Sequence, residues 1–82
     1  MAKAFEYPAA VRLYAQAARA FEASGQLLKA VAVFEQVRVL IAKHAPRERA
    51  LDDEARSRLP GLYRSLGLND EASAVENEPP KV

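Results

Sequence analysis

Glycine is scarce in this chain of 82 residues, and two of its three glycines, Gly25 and Gly67, each follow a run of strong helix formers. Glycine takes the left-handed conformation that ends helices at no steric cost. Residues 9–23, AAVRLYAQAARAFEA, favour helix throughout, and Pro8 suits a first turn, where its missing N–H is not needed. Within this run Val11, Tyr14, Ala18 and Phe21 recur at helical spacing and are expected to face a core. Gly25 then stops the helix.

A second helix is expected over residues 26–44. Its apolar residues Leu27, Leu28, Val31, Val33, Phe34, Val37, Val39, Leu40 and Ile41 cover more than one face, while Lys29, Gln36 and Lys43 form the wet stripe. A helix apolar over so much of its circumference needs cover on two sides. Val37, Val39 and Ile41 lie in a β-branched stretch, but the length of the run and its alanines favour helix. Pro46 punctuates the chain. A third helix covers residues 47–66. Pro60 inside it removes a backbone hydrogen bond, so a kink near residues 56–59, or a break into two pieces, is expected. Beyond Gly67, Asn69 reads as an N-cap, and Asp70 and Glu71 suit the positive end of a short fourth helix over 70–76.

The plan is therefore all-α: four antiparallel helices arranged as two hairpins. Residues 1–7 form an N-terminal segment, 8–77 the helical domain, and the polar, proline-bearing residues 78–82 a tail or linker. A chain of this length makes one small domain with a modest core.

Twelve basic residues face eleven acidic ones, too small an excess for a general nucleic-acid binder. The basic residues are also spread over all four helices, with no dense recognition helix. No cysteine is present, so there is neither a disulfide nor a thiolate metal site. No run approaches the ~18 apolar residues of a membrane span, and residues 1–20 lack the pattern of a secretory signal. These features suit a cytoplasmic protein. The alanine and arginine content suggests a GC-rich bacterial genome.

The two hairpins repeat one another. Tyr14, Ala17, Ala18, Phe21, Gly25, Ala30 and Phe34 in the first align with Arg56, Leu59, Pro60, Tyr63, Gly67, Ala72 and Glu76 in the second, 42 residues on. This arrangement of a large residue, a large–small pair, an aromatic, a turn glycine, an alanine and a second aromatic resembles the tetratricopeptide repeat. Ala17, Ala18 and Ala30 allow close helix approach, and Phe21 and Phe34 fill the space between helices. The resemblance covers residues 11–76. The second copy departs from it at Arg56, Pro60 and Glu76. The offset also exceeds the family period of about 34 residues. One extra turn on each of helices two and three accounts for the difference. At least three such repeats are normally needed for stability, so two leave apolar end faces to be covered.

In tetratricopeptide proteins the partner lies along the surface made by the first helix of each hairpin. The resemblance thus implies a non-catalytic protein-interaction module with a groove between helices one and three. Arg12, Gln16 and Arg19 share one stripe of helix one. Ser57, Arg58, Gly61 and Arg64 occupy the matching region of helix three, with Glu22 and Glu54 nearby. Arg12, Gln16, Arg19, Arg58 and Arg64 are the expected partner-binding residues. Guanidinium groups offer paired donors in one plane, so an acidic peptide or C-terminus is the expected ligand. The family's carboxylate-clamp type is not reproduced, because Ala15 stands where that type has a basic residue. A solvated helix face is the competing reading of these arginines.

No catalytic set is visible. His44 is the only histidine and suits the C-terminal end of helix two. Asp52, Asp53 and Glu54 lack the spacing of a calcium loop and read as a solvated face beside Arg49 and Arg56. No nucleophile–base pair, phosphate loop, cofactor or metal site is implied, so no enzyme activity is expected. The alternative function is oligomerisation or docking. Val39 and Ala32 flank the wet stripe of helix two and leave apolar surface there, and Phe5 and Tyr7 could cap the core or contact a partner.

Overall fold

The computed structural model describes residues 6–78 and is all-helical over them. Helix α1 spans Glu6–Ala23, α2 Leu27–His44, α3 Arg49–Ser65 and α4 Asn69–Glu76. Helix α1 thus begins inside the expected N-terminal segment, and Tyr7 belongs to it. Phe5 lies outside the described residues.

The turns after α1 and α3 are the same object. Gly25 has φ 78° and Gly67 φ 79°. The Gly25 N–H donates to the Glu22 carbonyl at 3.0 Å, and the Gln26 N–H donates to the Phe21 carbonyl at 2.9 Å. The second turn repeats both bonds: Gly67 N–H to Arg64 carbonyl at 3.0 Å, and Leu68 N–H to Tyr63 carbonyl at 2.7 Å. This paired bonding is the Schellman motif, which satisfies the last carbonyls of a helix through a residue at positive φ.

That motif displaces an expected cap. Leu68, not Asn69, holds the N-cap position of α4, and no side chain caps the helix there. The Leu68 N–H is already committed back to Tyr63, so the helix starts at the next residue and Asn69 falls inside it. Of the kink or break expected at Pro60, the break does not occur: α3 runs as one helix through it, with Pro60 buried.

Side-chain pairs fix the direction of each helix. Tyr7 stacks on His44, and the Lys29 ammonium lies 5.7 Å from the Phe21 ring, so α1 and α2 run in opposite directions. Glu35 meets Tyr63 while Arg38 meets Asp52, which reverses α3 against α2. Arg64 meets Glu76 and Arg56 reaches Glu78, which reverses the α4 end against α3. Each helix packs on the next in the chain, and α1 also touches α3. Among the described residues α1 and α4 make no approach. The fold is therefore an open stack and not a closed four-helix bundle, in which first and last helices would meet.

The core runs along the inner line of every helix. Phe34, Leu59, Val11 and Val37 are its largest fully enclosed side chains, with Ala15, Ala18, Ala30, Ala55 and Ala72 buried beside them in the same core. Ala30 and Phe34 sit as expected. Tyr14 does not: it is 44% exposed, and Ala15 points inward instead. Helix α1 must satisfy two neighbours at once, so its buried line is Val11, Ala15 and Ala18, midway between α2 and α3. Tyr14 falls one residue to the outside. Phe21 is only partly buried against the core.

Candidate functional site

Helices α1 and α3 lie side by side and point the same way, which places the predicted face on one surface. Three ion pairs cross it. Arg12 donates to Glu48 at 2.9 Å. Arg19 grips Glu54 with two bonds of 2.6 Å, Nε to one oxygen and Nη2 to the other. Arg58 reaches back from α3 to Glu22 at 3.3 Å. The arginine comes twice from α1 and once from α3, yet the partners are always 35 or 36 residues apart. The lateral register is therefore tighter than the 42-residue spacing of the two turns. Since a helix rises about 1.5 Å per residue, α3 extends roughly 9 Å further than α1 toward its C-terminal turn.

Of the residues expected to bind a partner, Arg12, Gln16, Arg19 and Arg58 share this face, and all four are exposed. Arg64 is separate. It lies on the far side of α3 and pairs with Glu76 of α4, with Nη1 to Oε2 at 2.7 Å. Its position six residues beyond Arg58 turns it well over half a revolution around the helix, toward α4.

The face is more neutral than its arginines suggest, because Glu22, Glu48 and Glu54 answer them. The hydrogen bond from Arg19 holds the Glu54 carboxyl below its ordinary range, with partial desolvation opposing. Glu54 raises Arg19 in return. A depressed carboxylate stabilises the fold above its unfolded pKa and loses that contribution as pH falls through the folded value. We expect a component of the acid-side loss in thermal midpoint, starting near the ordinary carboxylate range around pH 4, to vanish in Glu54→Gln. Scans between pH 2 and 7 measure it; parallel curves for the two proteins would exclude it. The pairs remain weak. The Arg12 side chain is 62% exposed and that of Arg58 51%, and exposed pairs contribute only about 0–1 kcal/mol each.

A second polar cluster was not anticipated. Asp52, expected on a solvated face, is only 6% exposed. It accepts a bond of 3.2 Å from Arg38 Nε. The other edge of the Arg38 guanidinium grips Glu78 at 2.6 and 2.5 Å, and Arg56 Nη2 donates to the Glu78 carbonyl at 2.7 Å. Glu78, assigned above to the tail, is thereby anchored to α2 and α3; residues 79–82 lie outside the described residues. Glu78 and Asp52 lift the Arg38 guanidinium above its ordinary value against partial burial. One signal was available in the sequence. Arg38 falls four residues after Phe34 and seven after Val31, beside the buried line of α2. A charge there requires a partner.

Nearby, the Tyr63 hydroxyl donates to Glu35, and burial together with that carboxylate pushes the phenol well above its ordinary range. His44 is the last residue of α2, as expected, and stacks on Tyr7 with ring centroids 4.0 Å apart. Among the described residues no group of three or more carboxylates and imidazoles is placed to hold a metal, and no helix is long and apolar enough to cross a membrane. Compared with known proteins, the chain matches no family model, no curated protein and no solved structure.

Proposed function

We propose that this chain is a non-catalytic, tetratricopeptide-like interaction module that takes an acidic partner peptide or helix along the α1/α3 face. The observation that carries this reading is the parallel placement of α1 and α3, with Arg12, Gln16, Arg19 and Arg58 along one exposed surface. The open stack and the twin glycine turns support the repeat reading. So does the lateral register of 35 or 36 residues, close to the family's period of about 34. Arg64 contributes at most from the α4 side.

Recognition would work by exchange. A partner carboxylate replaces Glu48, Glu54 or Glu22 on an arginine whose present pair is worth little. The gain comes from the planar, two-donor geometry and from surface buried by the peptide. Long-range attraction is small because the face is nearly neutral, so selection rests on fit at the arginines.

The test is capture from an extract of the source cell, comparing the wild-type chain with Arg12→Glu/Arg19→Glu. A protein retained by the first and reduced at least tenfold with the second, with helical circular dichroism unchanged, is the expected result. Equal capture by both removes the groove.

A second reading, oligomerisation or docking through α2, has its own observation. Leu28 is 70% exposed, and Ala32 and Val39 continue the same outward stripe. Light scattering from micromolar to millimolar concentration decides the self-association form: a mass that doubles supports it, and a constant monomer mass removes it.

A further inference from the structure

We infer that Arg38 and Arg56 form a second acidic-peptide site, separate from the α1/α3 face, which the chain's own Glu78 occupies in cis. The two arginines read two different groups of a single residue. Arg38 takes the Glu78 carboxylate with two parallel bonds of 2.6 and 2.5 Å, and Arg56 takes the main-chain carbonyl of the same residue at 2.7 Å. The side-chain carboxylate and its own carbonyl are recognised together, a second contact that a simple helix-to-helix ion pair does not need. The Glu78 N–H donates back to the Val75 carbonyl at 3.3 Å, so the residue is presented by the turn that ends α4.

The site is also preorganised. Asp52, buried in α3, holds Arg38 Nε at 3.2 Å and so turns the Nη1/Nη2 edge of the guanidinium toward Glu78. Arg38 itself is mostly buried, with 19% of its side chain exposed, so its orientation is set by packing as well as by charge. Arg38 reaches both Asp52 and Glu78, and Arg56 Nε stands 4.0 Å from the Glu78 carboxylate. Its contact is outside regular structure: Asn77 is the C-cap of α4, and Glu78 follows it. A tether this short gives an effective concentration of millimolar or more. The cis residue therefore keeps out weak competitors and yields to an acidic segment only when that segment binds more tightly or when Glu78 is withdrawn.

The ligand class follows: a glutamate of a partner chain that presents its side-chain carboxylate and its own carbonyl together, as Glu78 does. The probe is the acetylated, amidated peptide Asn-Glu-Pro-Pro, the sequence of residues 77–80. It is titrated by calorimetry and by Arg Nε–H resonances into the full chain, Glu78→Ala, and Glu78→Ala/Arg38→Gln. We expect saturable binding to Glu78→Ala at least tenfold tighter than to the wild-type chain. Binding should be lost with the Asn-Gln-Pro-Pro peptide and in the double variant, and kept when Arg12→Glu/Arg19→Glu is added. Equal affinity for wild type and Glu78→Ala, no binding to Glu78→Ala, or binding that survives loss of Arg38 each overturns the proposal. If Glu78→Ala loses helical signal, the peptide added in trans should restore it, and failure to do so overturns the proposal equally.

Discussion

Replacing Phe34 with alanine is expected to remove about 3–5 kcal/mol of stability, the usual cost of deleting a fully enclosed aromatic side chain. Phe34 is 1% exposed and lies in the line of α2 between Ala30 and Val37, which are fully buried. The buried cluster it belongs to is rich in alanine, with Ala15, Ala18 and Ala55 on α1 and α3. Alanine has no rotamer with which to move into a void, so a core rich in alanine collapses little and the cavity term stays large. A domain of this size has a total stability of only roughly 4–12 kcal/mol. Phe34→Ala should therefore remove a large fraction of the total and move the urea midpoint well below that of the wild-type chain. Urea unfolding followed by circular dichroism measures it, with Leu28→Ala as the control. Leu28 is on the same helix but outward-facing, and its loss should cost within about 0.5 kcal/mol, as surface substitutions do. Similar midpoints for the two variants would show that Phe34 is not the plug between helices.

Phe34 was legible in the sequence because local rules agreed there. Gly25 and Gly67 needed only their own φ to end helices, and Ala30 and Phe34 follow Gly25 at fixed offsets inside one helix. Tyr14 was misplaced for a reason that periodicity cannot cure. A helical repeat gives a face but not the centre of that face, and α1 centres its face between two neighbours. Asn69 was misplaced because the turn before it had a stronger claim on the backbone: the Schellman bond from Leu68 fixes where α4 starts. Pro60 did not split α3, since packing holds the helix together on both sides of it.

The candidate face was legible in part. Arg12, Gln16 and Arg19 share a stripe by arithmetic, and Arg58 meets them because α3 lies parallel to α1. The acids that answer these arginines lie 35 or 36 residues away, and no local pattern couples such positions. Arg64 was grouped with them by proximity in sequence, whereas its angle around α3 gives it to α4. The place of Arg38 beside the buried line of α2 calls for a partner, but the partners stand 14 and 40 residues off, where no local pattern names them.

That cluster carries the second large effect. Arg38→Met should cost about 2–4 kcal/mol, slightly below the usual cost of breaking a fully buried pair, because part of the guanidinium meets solvent. The methionine retains the packing of the stem, so the loss reports on charge. It strips one partner from the buried Asp52 carboxylate and both guanidinium donors from Glu78. The informative comparison is Arg38→Met with Asp52→Leu. If the penalty arises from a buried carboxylate deprived of its guanidinium, removing that carboxylate as well should recover most of the loss, since apolar replacements of buried pairs are often neutral or stabilising. Arg38→Met alone, Asp52→Leu alone and the pair together form a double-mutant cycle whose coupling energy is expected at about 1–3 kcal/mol. Urea midpoints at pH 7 supply all four corners. Additive losses would mean that Arg38 contributes through Glu78 and not through Asp52. A recovered double variant would place the cost in the Arg38–Asp52 pairing between α2 and α3, the pairing that turns the remaining edge of the guanidinium toward Glu78.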